Sequence, residues 1–79
     1  MTVRVFARYA EVLGLEEMTL ELDEPATVGD AVKLLRSSVP NGSLLPERPL
    51  VAINQEHVLA ETSLQDGDEL ALLPPLAGG

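Results

Sequence analysis

The residues of this chain best suited to chemistry stand at its C-terminal end, Leu76-Ala77-Gly78-Gly79. Glycines carry no side chains, so Gly78 and Gly79 can thread a narrow channel and approach a reactive centre closely. The functional group at that tip is the α-carboxylate of Gly79. A carboxylate becomes an acyl donor only after another agent activates it, for example as an acyl adenylate. Pro74-Pro75 favours an extended polyproline II path that stiffens the root of the segment, and Leu76 adds an apolar anchor. Residues 75–79 are therefore expected to form a flexible tail on a folded domain spanning residues 1–74.

Elsewhere the chemistry is thin. The chain has no Cys, which removes a thiol nucleophile, a Cys-borne persulfide, an Fe–S cluster, a Cys-based zinc site and any disulfide. Its one His, His57, cannot build a multi-histidine metal centre, so no metal is expected. No P-loop, H-E-x-x-H, G-x-G-x-x-G or G-x-S-x-G pattern occurs, and nothing marks Ser63 as a nucleophile. The acid pairs Asp66 with Asp68 and Glu16 with Glu17 have general acid–base potential. On a surface carrying 13 acidic and 5 basic residues they read as solvated charge.

The net charge of −8 argues against nucleic acid as a partner, because the phosphate backbone would be repelled. No apolar run reaches the length of a membrane span. The N-terminal stretch carries Arg4 and Arg8 within its apolar residues, unlike a signal peptide, and a cytoplasmic location is the expectation. At 79 residues the chain is one domain, with little room for a ligand pocket and no catalysis of its own expected.

A small set of elements must carry the tail. Val3, Val5 and Ala7 alternate with polar neighbours, which predicts a strand over residues 2–9. Residues 8–14 read as a short helix or turn stopped at Gly14. Residues 17–22 alternate again, with Met18, Leu20 and Leu22 on one face. Thr27 is an N-cap with Asp30 three residues on. Val28, Ala31, Val32 and Leu35 then form the apolar stripe of a helix ending near Ser38. An irregular, turn-rich stretch spans 40–49. Strands follow at 50–54, 57–60 and 68–73, with turns at Asn54-Gln55-Glu56 and Asp66-Gly67. A mixed sheet of about five strands results, with the first and last strands as parallel neighbours and the helix on one face. This is the layout of a ubiquitin-like β-grasp, an α+β fold.

The same alternation leaves apolar residues on the face away from the helix. With Val3, Val5 and Ala7 inward, Phe6 points outward between Arg4 and Arg8. With Leu70, Leu72, Val51 and Ile53 inward, Leu73, Leu50 and Ala52 point outward. Contiguous apolar residues with a polar rim mark an interface, and a domain this small gains from a partner.

In Val5-Phe6-Ala7, Glu11-Val12-Leu13-Gly14, Thr27-Val28, Val51-Ala52-Ile53-Asn54-Gln55 and Asp66-Gly67-Asp68-Glu69-Leu70, running into Pro74-Pro75-Leu76-Ala77-Gly78-Gly79, the whole chain resembles the small sulfur-carrier subunits of molybdopterin synthase. These are relatives of ubiquitin and of the thiamine-pathway sulfur carrier. The resemblance implies that an E1-like adenylyltransferase activates Gly79 with ATP and that a sulfurtransferase-supplied sulfur converts it to a thiocarboxylate. It further implies that Pro74, Pro75, Leu76, Ala77 and Gly78 enter the large synthase subunit in a heterotetramer. There the sulfur passes to cyclic pyranopterin monophosphate. Phe6, Arg4, Arg8, Leu50, Ala52, His57 and Leu73 would form the partner interface, and no cofactor would be bound. The chain departs from the family pattern at Ala10, where a basic residue is common, and at His57, where an apolar one is. Sulfur carriage for thiamine or tRNA thiolation, conjugation to lysines as a ubiquitin-like modifier, and a plain interaction module are the alternatives.

Overall fold

Helical spacing and strand alternation sort the chain into two layers. The computed structural model describes residues 1–74; Pro75, Leu76, Ala77, Gly78 and Gly79 lie outside the described residues. The elements in order are β1 (Thr2–Val5), α1 (Ala7–Leu13), β2 (Glu17–Thr19), β3 (Ala26–Thr27), α2 (Val28–Ser38), a 3-10 turn (Gly42–Leu44), β4 (Leu50–Ile53), β5 (Glu56–Val58), β6 (Ser63–Leu64) and β7 (Glu69–Leu73). Five strands form one mixed sheet in the order β2-β1-β7-β4-β5. β1 and β7 are parallel, and the other neighbours are antiparallel. This is the expected ubiquitin-like β-grasp. Among the described residues, no helix is long and apolar enough to cross a membrane.

The core lies between α2 and the inner sheet face. Val28, Ala31, Val32 and Leu35 are buried along one side of α2, as their spacing predicts. Opposite them the register builds an inner row of Met18, Val3, Leu70 and Ile53 and a second of Val5, Leu72, Val51 and Val58. Leu35, Leu70 and Leu72 are fully buried at 0% exposure, so β7 is the spine of the sheet. The N-terminus of α2 is held by a capping box: the Asp30 N–H donates to Thr27 Oγ1 at 3.2 Å, and the Thr27 N–H donates to Asp30 Oδ2 at 2.9 Å.

Several elements differ from the sequence expectation. The first strand stops at Val5 rather than running to residue 9, because Tyr9 and Leu13, one helical turn apart, are both buried from α1. Phe6 keeps an extended backbone (φ −130°) at the N-cap, and Ala7 turns the chain at φ +50°. Ala7 is therefore exposed rather than part of the core. Gly14 ends α1 in the left-handed region, its N–H donating to Ala10 O at 2.9 Å. The second strand covers 17–19 rather than 17–22, and the fourth covers 56–58 rather than 57–60. The two-residue pair β3–β6 forms a second small sheet that the sequence reading does not contain.

Arg36 pins the 43–47 stretch to α2. Its Nε donates to Leu45 O at 2.9 Å, and its guanidinium lies 3.8 Å from the Glu47 carboxylate. The tightest point is Gly42, where an added Cβ would collide with the Leu35 carbonyl oxygen and lie 3.1 Å from Arg36 Cα. Both obstacles are helix backbone and cannot swing away. Gly42→Ala should cost about 2 kcal/mol by overpacking, roughly 10 °C in melting temperature for a domain of this size. Thermal denaturation followed by circular dichroism reads this directly; an unchanged midpoint would show that the turn relaxes freely.

Candidate functional site

The outer sheet face carries three levels of side chains, and their register can be followed across the strands. The lowest level holds Thr19, Thr2 and Glu69, with Asn54 beside Glu69. The middle level runs Glu17, Arg4, Ala71, Ala52 and His57 through all five strands. At the upper level Leu73 pairs with Leu50. Phe6, one residue beyond β1, continues the parallel register to the height of Leu73. Leu59, one residue beyond β5, reaches the height of Leu50. Phe6, Leu73, Leu50 and Leu59 thus form an apolar row about 14 Å long at ordinary strand spacing.

Exposure singles out the same row. Phe6 is 40% exposed, Leu50 47% and Leu59 68%; among the described residues, only Leu44 is a further exposed large hydrophobic side chain. Leu73 is half-buried between its neighbours. The row stands at the C-terminal end of β7, where Pro74 leads into the residues beyond. Polarity is therefore graded over the face, from charged and hydroxyl residues at the foot to an apolar crest beside the root of the tail. Such a crest is held out of the core by β alternation and stays wet unless a partner covers it.

Of the expected interface residues, the structure brings Phe6, Leu50 and Leu73 together, with Arg4 just below. The Arg4 guanidinium lies 5.9 Å from the centroid of the Phe6 ring and 4.0 Å from the Glu69 carboxylate. Both partners of that ion pair are well exposed, so it orients Arg4 more than it stabilises the fold. His57 is exposed at the edge of the middle level, cross-strand from Ala52. Two positions differ from expectation. Arg8 is on α1, not on the strand, so it does not flank Phe6 on the sheet face. Ala52 has outward parity but is only 5% exposed, and it stands outside the hydrophobic core cluster. Its single methyl lies low between the flanking strands. Leu59 joins the row although the sequence reading did not select it; extending the outward parity of His57 by two residues would have found it.

A hydrogen-bond network at the foot of the sheet accounts for the Asn54-Gln55 and Asp66-Gly67-Asp68 segments. Asn54 and Gln55 both have positive φ, 49° and 74°, and close a two-residue hairpin between β4 and β5. The Asn54 amide donates to Asp68 Oδ1 at 3.1 Å and accepts from the Glu69 N–H at 3.0 Å. Asp68 Oδ2 accepts from the Gln65 N–H at 2.8 Å. These residues bind one turn to another and have a structural role. Among the described residues the outer face thus presents an exposed apolar row above a network of structural hydrogen bonds. The expected carrier residue Gly79, with Pro75, Leu76, Ala77 and Gly78, lies outside the described residues.

Comparison with known proteins agrees with this layout over the whole chain. The model of the ThiS family matches residues 3–79. The molybdopterin synthase sulfur carrier subunit of Chlamydomonas reinhardtii is 37% identical over 79 residues, covering 98% of this chain and 95% of that one. Small archaeal modifier protein 1 of Haloferax volcanii is 34% identical over 88 residues, with both chains covered in full. Its crystal structure superposes with a TM-score of 0.84 over 99% of this chain and 97% of that one.

Proposed function

The chain belongs to the ThiS family, and on that premise we propose that it is a sulfur carrier for molybdopterin synthesis. The observation that carries this reading is the apolar row of Phe6, Leu73, Leu50 and Leu59 beside the point where the chain leaves β7. A partner that covers the row receives the tail at the same time. The 37% identity to a molybdopterin synthase sulfur carrier subunit supports the choice of pathway.

In this reading an E1-like enzyme joins the Gly79 carboxylate to the α-phosphate of ATP, and pyrophosphate leaves. The persulfide of a sulfurtransferase then attacks the acyl carbon, AMP leaves with the C–O electron pair, and a second thiol cleaves the resulting acyl disulfide, forming a disulfide with the sulfurtransferase cysteine and leaving a thiocarboxylate at Gly79. The row seats the chain on the large synthase subunit, and the slim Gly78-Gly79 end delivers sulfur to cyclic pyranopterin monophosphate. The carrier supplies the acyl group and the docking surface, and its partners supply the catalysis. A second reading, conjugation of Gly79 to lysines, is supported by the 34% identity to a small archaeal modifier protein.

Intact mass of the protein from its own cells, handled without reductant, tests both readings. A carrier shows a form about 16 Da heavier, from one oxygen replaced by sulfur, that localises to Gly79 and is lost on alkylation. A modifier shows a ladder of larger conjugates. If neither form appears, and incubation with ATP and an E1-like enzyme yields none, the chain is an interaction module.

A further inference from the structure

An activated Gly79 carboxylate needs an acceptor, and the sequence narrows the acceptors this chain itself offers. It holds one lysine, Lys33, and no Cys. The other four cationic side chains are arginines, whose guanidinium stays protonated and takes no acyl group. The Met1 amine is partly buried and donates to Leu20 O at 2.9 Å.

The fold leaves Lys33 open. It follows Val32 on α2, and one residue of helix is a rotation of about 100°, which carries it from the buried stripe to the solvent side. α2 covers the inner sheet face, whereas Phe6, Leu73, Leu50 and Leu59 stand on the outer one. A partner seated on the row therefore leaves Lys33 accessible. The carboxylates nearest in the fold are engaged elsewhere: Asp30 Oδ2 accepts from the Thr27 N–H at 2.9 Å, and Glu47 lies 3.8 Å from the Arg36 guanidinium. Among the described residues Lys33 has no ion-pair partner.

The ground beside the amine is low. Lys33, Gly29 and Ala60 line a depression of about 430 Å³. Helix side chains lean towards the N-terminus, so the Lys33 stem extends over Gly29, four residues back. Gly29 adds no side chain there. Ala60, whose carbonyl accepts the Gly29 N–H at 2.8 Å, adds one methyl. An acyl group that ends in two glycines meets no bulky side chain on this approach.

We infer that Lys33 is an acceptor site for the Gly79 acyl group of a second copy, so that copies join through a single linkage on α2. This rests on the modifier reading and names where a second copy is attached. Lys33 Nζ, having lost a proton to solvent, attacks the acyl carbon of the Gly79 adenylate. The C–N bond forms, the C–O bond to the phosphate breaks, AMP leaves with that electron pair, and the amide nitrogen sheds a second proton.

The test incubates the full chain with ATP and the E1-like enzyme of its own cells, and reads the products by intact mass and by fragmentation after proteolysis. A product of twice the chain mass less one water should form, with its branch on Lys33. Lys33→Arg keeps the charge and should remove that product at an unchanged melting temperature, since the side chain is exposed. Adding Ser37→Lys to that variant moves the amine one turn along the same exposed side, away from Gly29 and Ala60, and should restore less than about a tenth of the product. A joined product that persists in Lys33→Arg, a branch on Met1, or full restoration by Ser37→Lys would each overturn the assignment. Gly79 joined to lysines of the activating enzyme but not to Lys33 would overturn it alone and leave the modifier reading standing. No conjugate of any kind would remove both, while a thiocarboxylate in the same sample would still support the carrier reading.

Discussion

Removing Gly78 and Gly79 should abolish sulfur loading while leaving the melting temperature unchanged. Among the described residues the last strand ends at Leu73 and the last core side chain is Leu72, and two glycines carry no side chains to bury. The acyl group, by contrast, exists only at the end of the chain. A chain ending at Ala77 still offers a carboxylate, but set back by two residues, about 7 Å of extended backbone. Misplacement of a reacting group by about 1 Å can already cost on the order of a hundredfold, so the truncated chain should give no turnover above background. Gly79→Ala keeps the length and adds one methyl beside the reacting carbon. Its effect should fall between wild type and truncation, and on rate more than on binding. The check is single-turnover sulfur transfer with the large synthase subunit, beside calorimetry of each variant. A truncated chain that still loads and delivers sulfur would remove the tail from the mechanism.

Much of this architecture is legible in the residues themselves. The stripe Val28, Ala31, Val32 and Leu35 and the cap Thr27–Asp30 specify α2 locally, and parity in β4 and β7 specifies which side chains meet it. The parallel pairing of β1 with β7 follows once one helix must cover one face. The misreadings share a physical cause, local signals of equal strength. Through Phe6-Ala7-Arg8 the two-residue alternation continues, while Tyr9 and Leu13 already follow helical spacing, and burial of the Tyr9 ring decides for the helix. The pair β3–β6 is two residues per strand, too short to leave a period. Ala52 has the right parity for an exposed site, but parity fixes direction, and accessibility depends on the height of the neighbours. Asn54 and Asp68, prominent as a motif, are explained by turn-to-turn hydrogen bonding that only the fold brings together across 14 residues.

Replacing Phe6 and Leu59 together by Asp should reduce affinity for the large synthase subunit by about a hundredfold or more. The two residues stand at opposite ends of the apolar row, 40% and 68% exposed. A partner that covers the row must bury both, and truncating a well-packed apolar anchor at an interface commonly costs 2 kcal/mol or more, about thirtyfold each. Asp adds the cost of a carboxylate placed in a dry contact. Neither side chain belongs to the hydrophobic core cluster, so the isolated variant should keep its stability to within about 0.5 kcal/mol. Arg4→Ala, one level below the row, serves as the contrast. It removes a cation 5.9 Å from the Phe6 ring centroid but no apolar area from the crest, and its effect should stay within a few-fold. Titration calorimetry with the large subunit, beside thermal melts of the free variants, separates docking from folding. If the double variant binds normally, the partner does not cover the crest, and the exposure of these side chains needs another cause. If it melts early, Phe6 supports the turn into α1 and the outward parity assigned to it is wrong. A loss of affinity at constant stability is the outcome that ties the row to the tail, because the surface lost is then the one beside which β7 ends.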